Sequence, residues 1–333
     1  MYIINGALGS PYSMKMRALL RYRRIPHRWV HGPDARDSLT KVRAPVIPVM
    51  EYPDGSFHND STPLIYNLEA RHADRSVIPP DPATAFIAHL IEDFADEWVT
   101  KAMFGFRWLE EVDQIQMSRW LAFDAMKGGG MAMSQGFAEQ FRARQVGRMA
   151  IVGCSQENFP LIEASTRALL AALEAHVVDR HCLFGTRPSL AEFSMYGQLS
   201  QLGVDPTAQV MMRKDYSYSF RWLLHIDDMS GIDGQWDTQI TGADAPYALI
   251  ITAWLKQVGE IYMPFLLANA AAIEVGEETF HITAMGLPYT QGVFKYQLKC
   301  LADLRARYAA LDAGARAKVD PLLAEAGCLG ALV

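Results

Sequence analysis

Three short segments of the sequence combine residue types that can bind a small polar ligand. Ser10 stands directly before Pro11, and Asp60-Ser61 stands just before Pro63, at positions where helices are expected to begin. The free N–H groups at a helix start bind carboxylates and other anions. Serine and aspartate are also favoured N-caps, so an ordinary capping role is the alternative and can coexist with binding. Ile47-Pro48 is the third segment, where a proline interrupts a β-prone run, as at a sheet edge.

The elements that position these segments form one α/β unit of roughly 75 residues. Strands are indicated by short apolar and β-branched runs that end in turn residues, and helices by apolar residues at helical spacing. The predicted order is βαβ followed by ββα, over residues 2–4, 11–22, 27–31, 45–50, 56–58 and 60–71.

The rest of the chain has a helical pattern. Residues 72–84 are rich in proline and polar side chains, which is typical of a linker between domains. After it, apolar residues repeat at helical spacing from Ile87 to Trp98. Further helices are predicted over 161–178, 189–202, 214–228, 245–273, 291–310 and 313–326, and a strand over 278–285. We therefore predict a two-domain α+β protein, with an α/β domain over 1–75 and an all-α domain over 85–333.

The amino-acid composition argues against nucleic acid and membranes as partners. Half of the 333 residues are hydrophobic, which is enough for a sizeable core, and the net charge is −6. A negative chain without clustered Lys and Arg does not favour binding to nucleic acid. An unbroken apolar run of 18 residues is missing from the sequence, so we expect no membrane partner. The N-terminus does not resemble a signal peptide, and we expect a cytoplasmic protein.

The four cysteines argue against a metal or disulfide framework. Cys154, Cys182, Cys300 and Cys328 are far apart and form no CxxC pair. Zinc sites need closer Cys or His spacing. We expect reduced, mostly buried thiols and no metal.

Four motifs in the same order resemble the glutathione transferase superfamily. They are the segments 9–17 (GSPYSMKMR), 46–49 (VIPV), 59–69 (NDSTPLIYNLE) and 183–193 (LFGTRPSLAEF). The resemblance is to the serine/cysteine-type N-terminal motif and covers residues 1–205. It implies a thioredoxin-like N-terminal domain, an all-α C-terminal domain and an unusual extension after about residue 205.

The resemblance implies a glutathione site with Ser10 at its centre. A free thiol has a pKa of about 8.5, so a hydroxyl that donates to the glutathione sulfur at a helix N-terminus increases the reactive thiolate. The redox classes carry cysteine where this chain has Ser10, which disfavours a glutathione-dependent reductase. Tyr12 and Ser13 are further candidates near the sulfur.

Other parts of glutathione have implied partners as well. The resemblance implies a cis peptide bond at Pro48, which lets the backbone of Ile47 pair with the cysteinyl part. It gives the γ-glutamyl carboxylate to Ser61, with Asp60 holding that region or the ammonium group. The family's Asn-Pro-x-Gly-Lys segment is replaced here by residues 38–44, where Lys41 or Arg43 could bind the glycyl carboxylate.

The second substrate is expected to be an apolar electrophile held by the helical domain. Phe104, Phe106 and Trp108 are candidates for its pocket, with simple core packing as the alternative. The leading hypothesis is a glutathione transferase-like enzyme with glutathione as cosubstrate. The alternative is a non-catalytic glutathione-binding or scaffold protein with the same fold. The resemblance also implies a homodimer.

Overall fold

The N-terminal part of the chain forms a four-stranded sheet with two helices. The computed structural model describes residues 1–237 and 248–333. In chain order the elements of this part are β1 (Tyr2–Gly6), α1 (Pro11–Tyr22), β2 (His27–His31), β3 (Val49–Glu51), β4 (Phe57–Asn59) and α2 (Ser61–Arg71). β1 pairs in parallel with β2, and β3 pairs antiparallel with β1 and β4, which gives the order β2-β1-β3-β4. The predicted βαβ-ββα arrangement is confirmed.

Local sequence explains the bounds of these elements. Pro11 occupies the first turn of α1, where its missing N–H is not needed. The helix buries an apolar face that includes Met16, Leu19 and Leu20. The predicted strand over 45–50 is shorter in the structure, because pairing with β1 extends only over Val49–Glu51.

In residues 72–237 and 248–333 the described elements are helices and one hairpin. These elements are α3 (Pro82–Phe94), α4 (Thr100–Trp108), α5 (Glu111–Met126), α6 (Met131–Val146), α7 (Phe159–Val177), α8 (Leu190–Leu202), α9 (Pro206–Asp215), α10 (Ser217–Ile226), α11 (Ala248–Gln257), α12 (Met263–Val275), β5 (Thr279–Ala284), β6 (Leu287–Gly292), α13 (Lys295–Ala309), α14 (Ala313–Glu325) and α15 (Leu329–Leu332). A thioredoxin-like sheet domain followed by a helical region confirms the predicted fold class.

Several predicted bounds change for local reasons. The helix predicted over 214–228 is two helices, because Tyr216 leaves the helical conformation with φ −140° and ψ 53°. The strand predicted over 278–285 is confirmed as β5, and β6 takes the first residues of the helix predicted over 291–310. Residues 245–247 of the helix predicted over 245–273 lie outside the described residues.

The helical run Leu249–Val275 is long and apolar enough to cross a membrane by length and composition. In its most apolar window 44% of the residues are buried inside the protein, and core helices of soluble proteins pass the same test. The run contains Lys256 and Glu260, and it passes through a π-helical turn over Val258–Tyr262. We therefore take it as weak evidence for a membrane span.

The chain divides into two compact units, each built from several segments. The first contains residues Met1–Val77, Phe106–Gly147 and Glu192–Asp233, so it includes α5, α6 and most of α8 beside the sheet. The second contains Ile78–Gly105, Arg148–Ala191 and Gly234–Val333. The domain boundaries at residues 75 and 85 stay a prediction.

Candidate glutathione site

Ser10 caps α1 in the way that its residue type predicts. Its backbone is extended, with φ −105° and ψ 119°, and its Oγ accepts a hydrogen bond of 3.3 Å from the Ser13 N–H. A serine hydroxyl carries one donor in addition to its acceptor sites. Capping therefore leaves the hydroxyl proton of Ser10 able to donate to a ligand.

Two buried polar side chains donate hydrogen bonds to the turn over residues 7–10, which precedes α1. The turn closes with a 3.1 Å hydrogen bond from Ser10 N–H to the Ala7 carbonyl. Arg107 Nη1 donates to the Gly9 carbonyl at 2.9 Å, and Gln201 Nε2 donates to the Leu8 carbonyl at 3.2 Å. Both central carbonyls of the turn are thus fixed, and with them the position of Ser10.

Arg107 and Gln201 are in turn held by each other and by Asp205. Arg107 Nη2 donates to Gln201 Oε1 at 2.9 Å, and Arg107 Nε lies 3.1 and 3.2 Å from the two Asp205 oxygens. The side chains of Arg107 and Asp205 are 3% and 0% exposed. Burial raises the pKa of Asp205 to about 6, and the guanidinium of Arg107 opposes this rise.

Gly9 is needed where this turn meets α5. A Cβ atom built on Gly9 would lie 2.3 Å from Leu121 Cδ2, well inside normal contact distance. The close approach lets α5 pack against the turn. The helix α5 that packs next to Ser10 therefore belongs to the same compact unit as α1.

The Ile47–Pro48 peptide bond is cis, as the resemblance implies. The segment before it is fastened by Asn59, whose Nδ2 donates to the carbonyls of Ala44 at 2.6 Å and Val46 at 3.3 Å. Pro48 is buried, while Ile47 is partly exposed. Ile47 therefore keeps part of its surface accessible next to the cis bond.

Asp60 and Ser61 form the start of α2. Asp60 adopts a positive φ of 74° and Ser61 is buried. The Ser61 hydroxyl accepts a 3.3 Å hydrogen bond from Lys15 Nζ, which is itself buried in α1. Lys15 was not predicted from the sequence as a site residue. The signal that could have found it is a charged side chain on the otherwise apolar face of α1.

The other predicted residues lie in different surroundings. Ser13 is fully buried, and its Oγ accepts from the Ala7 N–H at 3.3 Å. Tyr12 is partly exposed at the start of α1. Lys41 is exposed and lies 3.9 Å from Asp37, and Arg43 is exposed as well.

An apolar cavity of about 620 Å³ opens beside the turn that precedes Ser10. Its walls come from the turn, α1, α5 and the end of α8, all in the first unit. The lining residues are Leu8, Gly9, Met14, Met117, Trp120, Leu121, Phe123, Asp124, Ser200, Gln201 and Val204. Sequence reasoning missed all of the α5 side chains in this set.

The aromatic residues predicted for the second pocket are not among these lining residues. Phe106 and Trp108 are buried, and Trp108 packs against Phe141 with ring centroids 6.0 Å apart. Phe104 belongs to the second unit. The burial of Phe106 and Trp108 agrees with the core alternative raised from the sequence, whereas Phe104 is half-buried, and a role of the three residues in a substrate pocket stays a prediction.

The cysteines and the potential metal ligands of the described chain support neither a disulfide nor a metal site. All four cysteines are free and buried. Within residues 1–237 and 248–333, no group of three or more His, Cys, Asp or Glu side chains is arranged to hold a metal ion.

Comparison with protein families identifies the N-terminal domain. Residues 5–76 match the family model described as "Glutathione S-transferase, N-terminal domain". The match confirms the resemblance to the glutathione transferase superfamily for this part of the chain. A comparison with curated proteins gave no match.

Solved structures with a similar fold include three glutathione transferase family members. One from Methylobacterium radiotolerans, in complex with glutathione sulfonate, is 20% identical over 72% of this chain and 98% of that chain, with a TM-score of 0.42. One from Methylobacillus flagellatus with glutathione bound is 17% identical over 67% and 93%, with a TM-score of 0.39. One from Pseudomonas fluorescens with bound glutathione is 18% identical over 68% and 94%, with a TM-score of 0.36. Likenesses this distant carry no conclusion about the ligand or reaction of this chain.

Proposed function

Because residues 5–76 match the family model of the glutathione S-transferase N-terminal domain, we propose that the protein binds reduced glutathione there and activates its thiol for attack on an apolar electrophile. The observation that carries the proposal is the position of Ser10. It begins α1 directly after Leu8 and Gly9, and both of these line the apolar cavity. A sulfur held at this point has a hydroxyl donor on one side and space for an apolar substrate on the other.

The chemistry requires the thiol to lose its proton before it attacks. The Ser10 O–H donates a hydrogen bond to the sulfur, and the N-terminus of α1 adds a favourable dipole. Both effects lower the thiol pKa, so that the proton passes to solvent and the thiolate remains. The sulfur lone pair then forms a bond to the electrophilic carbon, and the leaving group departs or the adduct takes up a proton.

The remainder of glutathione is assigned to the surrounding backbone and helix starts. The N–H and C=O of Ile47 pair with the cysteinyl part as an added strand. Ser61, at the start of α2, binds the γ-glutamyl carboxylate with its N–H and hydroxyl. Lys15 supports this assignment, because its ammonium donates to the Ser61 hydroxyl and adds positive charge behind it.

A non-catalytic glutathione-binding or scaffold role is the second candidate. The observation behind it is that capping alone, through the bond from the Ser13 N–H to Ser10 Oγ, accounts for a serine at this position without a bound thiol. The two candidates differ in what Ser10 does to a bound thiol. We also propose a cytoplasmic homodimer. Light scattering coupled to size-exclusion chromatography tests the dimer.

Isothermal titration calorimetry with reduced glutathione tests the binding half of the proposal. We expect micromolar to low-millimolar affinity that weakens on Ser61→Ala. Lack of heat at high millimolar glutathione would overturn the proposal.

Variants at Ser10 test the activation half. Ser10→Thr keeps the hydroxyl, whereas Ser10→Asp keeps a capping acceptor but removes the donor and adds a negative charge. The ultraviolet absorbance of the bound thiolate, followed against pH, should give a low thiol pKa in the wild type and Ser10→Thr and a higher one in Ser10→Asp. An equal thiol pKa in all three proteins would favour the scaffold role.

A further inference from the structure

The apolar cavity has one ionisable group among its lining residues, the carboxylate of Asp124 on α5. The others are glycine, apolar or uncharged polar side chains, and the apolar ones include Met117, Trp120 and Phe123. A carboxylate on such a wall loses part of its hydration without gaining a polar surrounding. The negative charge of Asp124 can therefore distinguish substrates that carry a cation or a hydrogen-bond donor from those that do not.

The Asp124 carboxylate lacks a hydrogen-bond donor within the described part of the chain. Half-burial raises its pKa, and His31 opposes that rise only through its charge. His31 acts on Asp124 without a hydrogen bond, and its Nδ1 is buried without a hydrogen-bond partner in residues 1–237 and 248–333. A half-buried acceptor without a donor costs free energy that a ligand donor would recover.

The end of α5 that carries Asp124 is fixed to the segment after β2. Arg36 Nη2 donates to the Ala125 carbonyl at 2.9 Å. Lys127 Nζ lies 2.6 Å from Asp34 Oδ2, so the nearest lysine in sequence is paired with another carboxylate. These two contacts fix the backbone directly after Asp124 and so hold its position on the cavity wall.

We propose that this cavity selects apolar substrates that carry a cationic or hydrogen-bond-donating group, and that Asp124 is the residue that recognises this group. The inference rests on the proposed function, because it names the substrate class for the same site. A ligand ammonium or N–H group would supply the missing donor, and the apolar walls would bury the body of the substrate. A ligand carboxylate would meet a like charge in a weakly hydrated space and bind less tightly.

The first test uses S-substituted glutathiones and calorimetry on the full chain. The three ligands are S-(4-aminomethylbenzyl)-, S-benzyl- and S-(4-carboxybenzyl)glutathione, which share the benzyl group and carry a cation, a hydrogen or an anion at its para position. We expect affinity to fall in that order, with about tenfold or more between the first and the last. Asp124→Asn should reduce this ratio to about threefold or less and change S-benzylglutathione by about twofold at most.

Glu139→Gln is the matched control. Glu139 is an exposed carboxylate on α6 that does not line the cavity, so its loss changes the net charge equally. It should leave the affinity ratio unchanged. Equal affinities of the three ligands for the wild type, or a ratio that Asp124→Asn does not alter, would overturn the inference.

A second pair of ligands separates this inference from the proposed function. 3-Phenylpropylammonium and 3-phenylpropionate lack the glutathione part, and ligand-observed NMR detects weak binding of either. If the conjugates and glutathione fail to bind but the ammonium binds in an Asp124-dependent way, the transferase proposal fails and the cavity inference stands. If glutathione and the conjugates bind but neither pair of ligands is distinguished by charge, only the cavity inference fails.

Discussion

Replacing Arg107 by methionine should destabilise the first unit strongly, because the change leaves the carboxylate of Asp205 buried without its partner. Both side chains are almost fully buried, and Nε lies within 3.2 Å of each carboxylate oxygen. Removing one member of such a pair costs about 3–5 kcal/mol. The hydrogen bonds to the Gly9 carbonyl and to Gln201 are lost as well.

The dependence on pH follows from the pKa of Asp205, which burial raises to about 6 from its ordinary 3.8. The folded state therefore holds this proton more tightly than the unfolded state, and the stability it contributes is full below about pH 4 and lost as the pH rises through 6. Methionine at position 107 removes the charge that lowers this pKa. The loss on Arg107→Met should accordingly be larger at pH 8 than at pH 5, by at least about 1 kcal/mol.

The assay is urea unfolding followed by circular dichroism at both pH values. Adding Asp205→Asn to Arg107→Met removes the orphaned charge, and should recover about half of the lost free energy at pH 8. The remaining deficit is that of the lost hydrogen bonds, about 1–3 kcal/mol. Identical unfolding free energies for the single and double variants at pH 8 would refute the reasoning.

The same pair offers a test of how the turn is positioned. Arg107→Lys keeps a positive charge for Asp205 but cannot reach Asp205, the Gly9 carbonyl and Gln201 together. We expect Arg107→Lys to be much more stable than Arg107→Met, but the thiol pKa of bound glutathione to be higher than in the wild type, because the Gly9 carbonyl and with it Ser10 are less firmly positioned. A lysine variant with the wild-type thiol pKa would show that charge alone is sufficient at position 107.

Two further predictions concern Gly9 and Asp93. Gly9→Ala should push Leu121 into the cavity, since the added Cβ lies 2.3 Å from Leu121 Cδ2, and calorimetry should show weaker S-benzylglutathione binding with little change for glutathione itself. Leu121→Ala in the same background should restore it, and a glutathione affinity that falls equally would contradict the steric reason. Burial raises the pKa of Asp93 to about 7, although Tyr262 donates to it at 2.6 Å. The stability that this raised pKa contributes is full below about pH 4 and lost as the pH rises through 7, by at most about 4 kcal/mol. Asp93→Asn should remove that part of the slope in urea unfolding, and an unchanged slope would contradict the assignment.

The N-terminal domain was predictable because its signals are local. Pro11 marks the first turn of α1, and residues 52–55 (YPDG) form the turn between β3 and β4. The cis bond at Pro48 is confirmed, but it followed from the family resemblance rather than from spacing. The shortness of β3 was not predictable, because it depends on which residues pair with β1, a long-range property.

The α5 side chains that line the cavity were not predicted from the sequence, because their pattern is not that of a core helix. Met117, Trp120, Leu121 and Asp124 follow one another at spacings of three, one and three residues, so they share one face of α5. That face is neither fully apolar nor fully buried: Trp120 is 50% exposed, and Asp124 interrupts the apolar series. Apolar residues at helical spacing indicate the buried face of a core helix. Phe106 and Trp108 have that apolar character and were predicted for this reason, although both are buried away from the cavity. A helix face that mixes large apolar side chains with a single carboxylate fits neither a core nor an ordinary solvated surface, and here it lines the cavity beside Ser10.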